Sequence, residues 1–138
     1  MRSCDFCKLI RDNKNPTWIN ELSVSIAIVN LDQSYLGRSL VIFKRHEEDI
    51  LALSNKERDQ FNADMIRVAQ AIKKVFKPDL INYAILGNNQ RHLHWHVIPR
   101  YRSDPNWGKP PWPHERKFLS PEQYYEIAIK IRNALKNS

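Results

Sequence analysis

The chain has 138 residues, of which 42% are hydrophobic and 27% charged, a composition typical of one globular domain spanning residues 1–138. Its 22 Lys and Arg residues exceed its 15 Asp and Glu residues by seven, which favours anionic partners such as nucleotides, but the basic residues are spread along the chain and form no arm for nucleic acid. No apolar run is long enough to span a membrane and the N-terminus lacks a signal-peptide pattern, so a cytoplasmic protein without membrane contact is expected.

The first motif is the C-x-x-C formed by Cys4 and Cys7, which are the two cysteines of the chain. A structural disulfide is not expected in a reducing cytosol, and no strand precedes the pair as a thioredoxin-like redox motif requires. Half of a zinc site is the better interpretation, with free thiols as the alternative. Zinc requires four ligands, so two more would come from elsewhere in the chain.

A β-hairpin is predicted next. Residues 22–30 are rich in β-branched side chains with partial alternation, and residues 39–46 form a second apolar run. The turn between them contains Gly37, one of only three glycines. The two runs are therefore expected to pair as neighbouring strands.

The clearest helix follows the hairpin. Ser54 and Glu57 have the spacing of a capping box, and Pro78 ends the helical pattern. Apolar residues recur at helical spacing along one face: Phe61, Met65, Val68, Ala69, Ile72 and Phe76.

Two more strands are predicted over residues 79–87 and 92–101, followed by a proline-rich loop over residues 103–118. A second capping box, Ser120 with Gln123, begins a C-terminal helix. Two strands, a helix, two strands and a helix, with short turns between consecutive strands, predict an antiparallel sheet with helices on one side, which is an α+β fold.

Three histidines, His92, His94 and His96, alternate with apolar residues in the fourth predicted strand. Successive side chains of a strand point to opposite faces, so the histidines would line one face. Three interpretations remain open from the residues alone. The histidines could form a polar face without a role, a metal cage, or a nucleophile toward phosphorus with neighbours that orient it and assist the leaving group.

The stretch HLHWHVI matches the pattern His-φ-His-φ-His-φ-φ and resembles the histidine triad family of nucleotide hydrolases and transferases. The hairpin over residues 23–54 and the segment over residues 81–101 resemble the family as well, whereas the last helix does so only weakly. The sequence DPNWG after the triad is similar to the branch of diadenosine polyphosphate hydrolases. The resemblance implies a histidine triad fold, with a sheet of about five strands, one long helix and a C-terminal helix.

The resemblance also implies roles for individual residues. His94 would attack an α-phosphorus and form a nucleotidyl-histidine intermediate, while His96 would hydrogen-bond the bridging or leaving atom. Asn30 would hold the ribose hydroxyls, although a turn residue at a strand end is the alternative. Asn88, or Asn89 beside it, would contact the phosphates.

In zinc-bearing relatives a C-x-x-C joins two histidines, which here correspond to His46 and His92. The resemblance thus implies a closed Cys₂His₂ structural zinc site of Cys4, Cys7, His46 and His92. Such a site would pin the N-terminus to the base of the catalytic strand. His114, the remaining histidine, is expected to be exposed in the proline-rich loop.

One position departs from the family. Many relatives have Gly-His in the first hairpin turn, where this chain has Gly37 and Arg38. Arginine can bind phosphate but cannot act as a base or metal ligand near neutral pH. Arg38 is therefore either an added phosphate contact or a surface charge, and the surface charge is favoured.

The expected activity is hydrolysis of diadenosine polyphosphates at the α-phosphate. A nucleoside phosphoramidase that cleaves a P–N bond is the alternative within the class. A zinc-stabilised nucleotide-binding or adaptor protein without turnover is the alternative from another class. The resemblance further implies a homodimer with nucleotide substrates as its other partners.

Overall fold

A computed structural model of the chain describes residues 4–137. Three helices and five strands form a sheet-and-helix structure, which confirms the predicted α+β class. In chain order, and with one short 3₁₀ helix over Ile50–Ala52, the elements are α1 (Asp5–Arg11), β1 (Trp18–Glu21), β2 (Ser25–Val29), β3 (Ser39–Phe43), α2 (Asn55–Phe76), β4 (Leu80–Ala84), β5 (His94–Arg100) and α3 (Pro121–Lys136).

The five strands form one antiparallel sheet with the order β1-β2-β3-β5-β4. The predicted hairpin of β2 and β3 is confirmed, and β1 adds an edge strand that is too short for its pattern to be recognised. On the other side, β3 pairs with β5, so that Leu40 lies opposite His96 and Ile42 lies opposite His94. The two histidines are therefore near the middle of the sheet.

Both capping boxes form as predicted, Ser54 with Glu57 in α2 and Ser120 with Gln123 in α3. Each box satisfies backbone N–H groups that the first helical turn would otherwise leave without a partner. Helix α2 ends at Phe76, two residues before the proline that cannot continue it.

Helices α2 and α3 cover one face of the sheet and form the main hydrophobic core with it. The apolar stripe predicted for α2 lies in this core or at its border, and inward residues of β2, β3 and β5 complete it. Among them are Ala27, Val29, Val41, Phe43 and Val97.

The opposite face of the sheet is covered in part by α1, so the prediction of helices on one side only is wrong. Phe6 of α1 packs with four aliphatic residues of β2 and β3, namely Ile26, Ile28, Leu40 and Ile42. A seven-residue helix is too short for a periodic stripe and is marginal in isolation, because helix nucleation is costly. Its formation depends on tertiary contacts that the local sequence does not indicate.

Within residues 4–137, no helix is both long enough and apolar enough to cross a membrane.

Candidate active site and metal centre

The histidine face lies on the side of the sheet that carries α1. His94 and His96 belong to β5, whereas His92 lies two residues before the first residue of that strand. Leu93, Trp95 and Val97 point the other way and contact the main core, so the predicted alternation is confirmed.

The orientation of the His94 ring follows from one hydrogen bond. Its Nδ1 atom lies 2.7 Å from the carbonyl oxygen of His92. A carbonyl oxygen only accepts, so Nδ1 carries the proton and Nε2 has the lone pair. Burial lowers the pKa of His94 below its ordinary value, which keeps the ring neutral near pH 7. The ring of Phe6 packs edge-on against His94 at a centroid distance of 4.9 Å.

His96 lies between His94 and a cation. Its Nε2 atom is 3.2 Å from Nε2 of His94, and its Nδ1 atom is 3.4 Å from Nη2 of Arg38. Burial, the neighbouring His94 and the charge of Arg38 lower the pKa of His96 to about 3. The pair of imidazoles is therefore neutral, which suits one of them to act as a nucleophile.

Arg38 is buried, so the favoured surface-charge interpretation is wrong. Its guanidinium forms an ion pair with Asp32 at 3.3 Å and lies over the indole of Trp112, 5.3 Å from the ring centroid. The carboxylate and the aromatic face compensate for the loss of water around the charge. Trp112 comes from the proline-rich loop, and its folding over the hairpin turn is what removes Arg38 from solvent.

His114 is not exposed, contrary to expectation. Its Nε2 atom lies 2.6 Å from Oδ2 of Asp32, and its ring contacts Tyr35 at 5.0 Å. Burial raises the pKa of Asp32, but hydrogen bonds from Ser34, from the backbone of Lys117 and from His114 outweigh it and lower the pKa to about 2. Asp32 therefore attaches the proline-rich loop to the hairpin turn as an ionised carboxylate.

The four predicted metal ligands converge on one point. The ligand atoms of Cys4, Cys7, His46 and His92 all lie within 4.8 Å of one another. Nδ1 of His92 is 3.4 Å from the sulfur of Cys4 and 3.5 Å from that of Cys7, and the two His Nδ1 atoms are 3.2 Å apart. A tetrahedral zinc ion, with Zn–S of about 2.3 Å and Zn–N of about 2.0–2.1 Å, separates its ligands by roughly 3.3–3.8 Å. The donor set and its spacing fit such an ion.

The second nitrogen of His92 supports the same conclusion. Nε2 donates to the carbonyl oxygen of Phe43 at 2.6 Å, which leaves the Nδ1 lone pair directed toward the cysteines. The predicted strands over residues 39–46 and 92–101 are shorter than expected at this end, since β3 ends at Phe43 and β5 begins at His94. Because His46 and His92 lie just outside the strands, their rings can turn toward the N-terminal segment.

The predicted substrate residues have different surroundings. Asn30 follows β2 and is half-buried, and its side-chain amide donates to the carbonyl oxygen of Asp32 at 3.2 Å. Asn88 and Asn89 are exposed in the segment between β4 and β5. Their roles stay predictions.

Two aromatic residues at the site were not expected from the sequence. Phe6 contacts His94, and Trp112 contacts His96 with a centroid distance of 5.2 Å. Both are far from the triad in the chain, so no local pattern could have indicated them.

Residues 11–103 match the family model described as HIT domain. The match covers more than half of the chain, and the protein therefore belongs to the HIT domain family. The resemblance to histidine triad proteins is thereby confirmed.

Two curated relatives and one solved structure illustrate the similarity. The adenosine 5'-monophosphoramidase hnt1 of Schizosaccharomyces pombe is 28% identical over 97% of this chain and 99% of the relative. The asymmetrical bis(5'-nucleosyl)-tetraphosphatase of the same yeast is 33% identical over 59% of this chain, and the match spans about half of that relative, 47%. A hypothetical histidine triad nucleotide-binding protein from Sulfolobus tokodaii shares the fold with a TM-score of 0.79 and 27% identity, over 97% of this chain and 93% of that one.

Proposed function

We propose that this HIT-family protein is a nucleotide hydrolase in which His94 attacks the α-phosphorus of the substrate. The observation that carries the proposal is the hydrogen bond from Nδ1 of His94 to the carbonyl oxygen of His92, at 2.7 Å. It leaves the Nε2 lone pair of a neutral imidazole on the site side of the ring, where Nε2 of His96 faces it at 3.2 Å in the free protein. An imidazole in this state is a good nucleophile and, once cationic, a good leaving group from phosphorus.

In the first step, Nε2 of His94 bonds to the α-phosphorus and the bond to the leaving group breaks. His96 donates a hydrogen bond from Nε2 to the departing atom and stabilises the charge that develops there. In the second step, water attacks the phosphorus, the P–N bond to His94 breaks, and one proton is released. An amine leaving group takes up one proton from solvent in the first step, and the proton released in the second step balances it, so P–N hydrolysis has no net proton change.

Adenosine 5'-phosphoramidates are the first candidate substrates. The fission yeast relative that aligns with nearly the whole chain is named as an adenosine 5'-monophosphoramidase. Diadenosine polyphosphates, which the sequence favoured, are the second candidate. They are supported by the DPNWG loop and by the more partial similarity to the tetraphosphatase.

The remaining roles belong to the same proposal. Asn30 would bind the ribose hydroxyls, and Asn88, or Asn89 beside it, would contact phosphate. The converging cysteines and histidines would hold a zinc ion. Its role would be structural, because four protein ligands leave no coordination position for substrate or water. These ligands are Cys4, Cys7, His46 and His92.

A turnover panel tests the proposal. The purified protein is assayed with adenosine 5'-phosphoramidate, with AMP joined to the side-chain amine of lysine, and with diadenosine tri- and tetraphosphate. Release of AMP from the P–N substrates at a higher kcat/KM supports the first candidate, and the reverse order supports the second. Binding of AMP without turnover of any substrate would instead favour a nucleotide-binding or adaptor protein.

A further inference from the structure

We propose that Arg38 is a positioning residue that fixes the tautomer of His96, so that the Nε2–H group of His96 faces the departing atom of the substrate. The inference rests on the proposed function and deepens it. The proline-rich loop over residues 103–118, which covers Arg38, is named the Trp112 loop after the indole that contacts both Arg38 and His96.

The tautomer follows from the two ends of the His96 ring. Nη2 of Arg38 is 3.4 Å from Nδ1 of His96, and a guanidinium can only donate. Nδ1 must therefore have the lone pair, and the single proton of the neutral ring is on Nε2. The same conclusion comes from the other end, because Nε2 of His94, 3.2 Å away, has its own lone pair and needs a donor opposite it.

Arg38 is the one hydrogen-bond partner of His96 Nδ1 among residues 4–137. Without it, the ring could place its proton on Nδ1 and present a lone pair to His94 or to the substrate. Two facing lone pairs repel, and the departing atom would lose its donor. The hydrogen bond from Arg38 thus decides whether Nε2 of His96 carries a proton and donates, or has a lone pair and accepts.

A comparison of two buried arginines indicates that Arg38 does more than fill space. Arg100 uses all three of its nitrogens in hydrogen bonds, and it joins β5 to Asn82 of β4 and to Asp104, Asn106 and Lys109 in the segment that follows the sheet. Arg38 is almost as buried, yet within the described residues its Nε atom has no hydrogen-bond partner. A purely structural arginine would be expected to satisfy its donors as Arg100 does. Arg38 instead directs its Nη2 atom toward Nδ1 of His96.

The Trp112 loop holds Arg38 in this position. Asp32 pairs with Arg38 at 3.3 Å and also binds His114 of the loop at 2.6 Å. The indole of Trp112 contacts both the guanidinium and the ring of His96. Arginine stays protonated near neutral pH, so it orients His96 without acting as an acid or a base.

The test uses AMP derivatives whose leaving groups range from a good one, p-nitrophenol, to poor ones such as alkyl amines. Arg38→Met keeps the length of the side chain and removes its donors. We expect kcat with the poor leaving groups to fall by about 10²-fold, and kcat with p-nitrophenol to change little, because only a poor leaving group depends on the donor. KM is expected to stay within a factor of about two, since on this proposal the guanidinium makes no contact with substrate.

The matched control is Arg102→Met. Arg102 also lies over an indole, that of Trp107 at 5.7 Å, and pairs with an aspartate, but it has no contact with the histidines. It should leave the whole leaving-group series unchanged. If Arg38→Met does not fold, Arg38→Lys retains a donor and a charge, and it should lose less activity while showing the same dependence on the leaving group.

A double mutant and a spectrum complete the test. Combined with His96→Ala, Arg38→Met should add little further loss, because both changes remove the same donor. Nitrogen-15 NMR of the free protein should show His96 protonated at Nε2 in the wild type and a mixture of tautomers in Arg38→Met. A KM increase with equal losses across the series and additive double-mutant effects would make Arg38 a phosphate contact and overturn the inference.

The spectrum separates failure of this inference from failure of the proposed function. A wild type that hydrolyses no member of the series would contradict the proposed function, and the tautomer would still be measured. A wild-type His96 protonated at Nδ1 would overturn the inference whatever the turnover.

Discussion

His94 and His96 have different protonated nitrogens although they are two positions apart on the same strand. The carbonyl oxygen of His92 fixes the protonated nitrogen of His94, and the guanidinium of Arg38 faces the unprotonated nitrogen of His96. One ring therefore presents a lone pair and the other an N–H group. Burial keeps both rings neutral, since it lowers the pKa of each below the ordinary value for histidine.

The neutral state of His96 makes stability depend on pH. With a folded-state pKa of about 3 against an ordinary value of 6.5, the unfolded chain takes up a proton on His96 that the folded protein does not. Relative to His96→Asn, the wild type should thus lose stability as pH falls from 6.5 toward 3, by up to about 1.4 kcal/mol per pH unit, with no pH dependence above 6.5. Urea unfolding of both proteins between pH 8 and pH 4 measures the difference. A difference that stays constant down to pH 4 would mean that His96 titrates normally.

At Asn30, a role in substrate binding can be distinguished from a role in the local turn. Its side-chain nitrogen donates to the carbonyl oxygen of Asp32. Within residues 4–137 its side-chain oxygen accepts no hydrogen bond, so that oxygen is available to a ribose hydroxyl. Asn30→Ala should weaken substrates with a ribose diol by about 1–3 kcal/mol and hardly affect 2',3'-dideoxy analogues. The exposed Asn62→Ala serves as the control. Equal losses for both substrates would show that Asn30 is only a turn residue.

At this scale the sequence predicted the histidine alternation and the four converging ligands, because both depend on spacing within short segments or on family resemblance. It did not predict the burial of Arg38 or of His114. Their surroundings are set by the Trp112 loop, whose path over the hairpin turn is a long-range contact without a periodic signal.

At the scale of elements, α1 connects the predicted metal ligands to His94. Its N-cap is Cys4, Cys7 is in its first turn, and between them in the chain Phe6 packs against His94. A helix of seven residues needs such contacts to be stable. A metal ion at the cysteines would therefore also hold the Phe6 ring against His94.

Removal of a ligand tests this connection. Cys7→Ser and His46→Ala should each lose the one zinc ion per chain that elemental analysis is expected to find, and should lower Tm by several degrees, because metal binding contributes directly to folding free energy. Activity should fall but persist, since His94 remains in β5. Lys8→Ala, an exposed change on the same helix, should keep metal and Tm. Retention of metal in Cys7→Ser, with immediate loss of turnover on chelation, would instead indicate a catalytic metal on the three histidines of the motif.

The outer edge of strand β4 is relevant to the predicted homodimer. It pairs with β5 along one edge, and its other edge has no partner strand within residues 4–137. Leu80 and Tyr83 are about half exposed there, at 52% and 49%. An exposed edge of this kind favours pairing with another chain. We propose that a second copy covers it.

Tyr83→Lys should therefore shift the protein from dimer to monomer in sedimentation equilibrium. Tyr125→Lys, which changes an equally exposed tyrosine on α3, should remain dimeric. A wild type that is monomeric at high micromolar concentration would contradict the dimer.

At the scale of the whole molecule, the two faces of the sheet differ in what they carry. The face under α2 and α3 contains the main core, and the face under α1 carries the histidines and the predicted metal ligands. Both hydrophobic clusters contain residues of β2 and β3, as the predicted single domain requires. The sequence predicted this architecture through the long stripe of α2, the two capping boxes and the hairpin, whereas β1 and α1 were missed because elements of four and seven residues are shorter than the patterns that identify them.

Capture of the covalent intermediate tests most directly whether His94 is the nucleophile. Wild-type protein is mixed with a substrate radiolabelled at the α-phosphorus and quenched under alkaline denaturing conditions, which preserve a P–N bond to histidine. The protein should carry a transient label that mass spectrometry assigns to His94, and His94→Ala should bind nucleotide, fold normally, carry no label and lose several orders of magnitude in kcat. Ordinary turnover by His94→Ala, or a label on another residue, would contradict this mechanism.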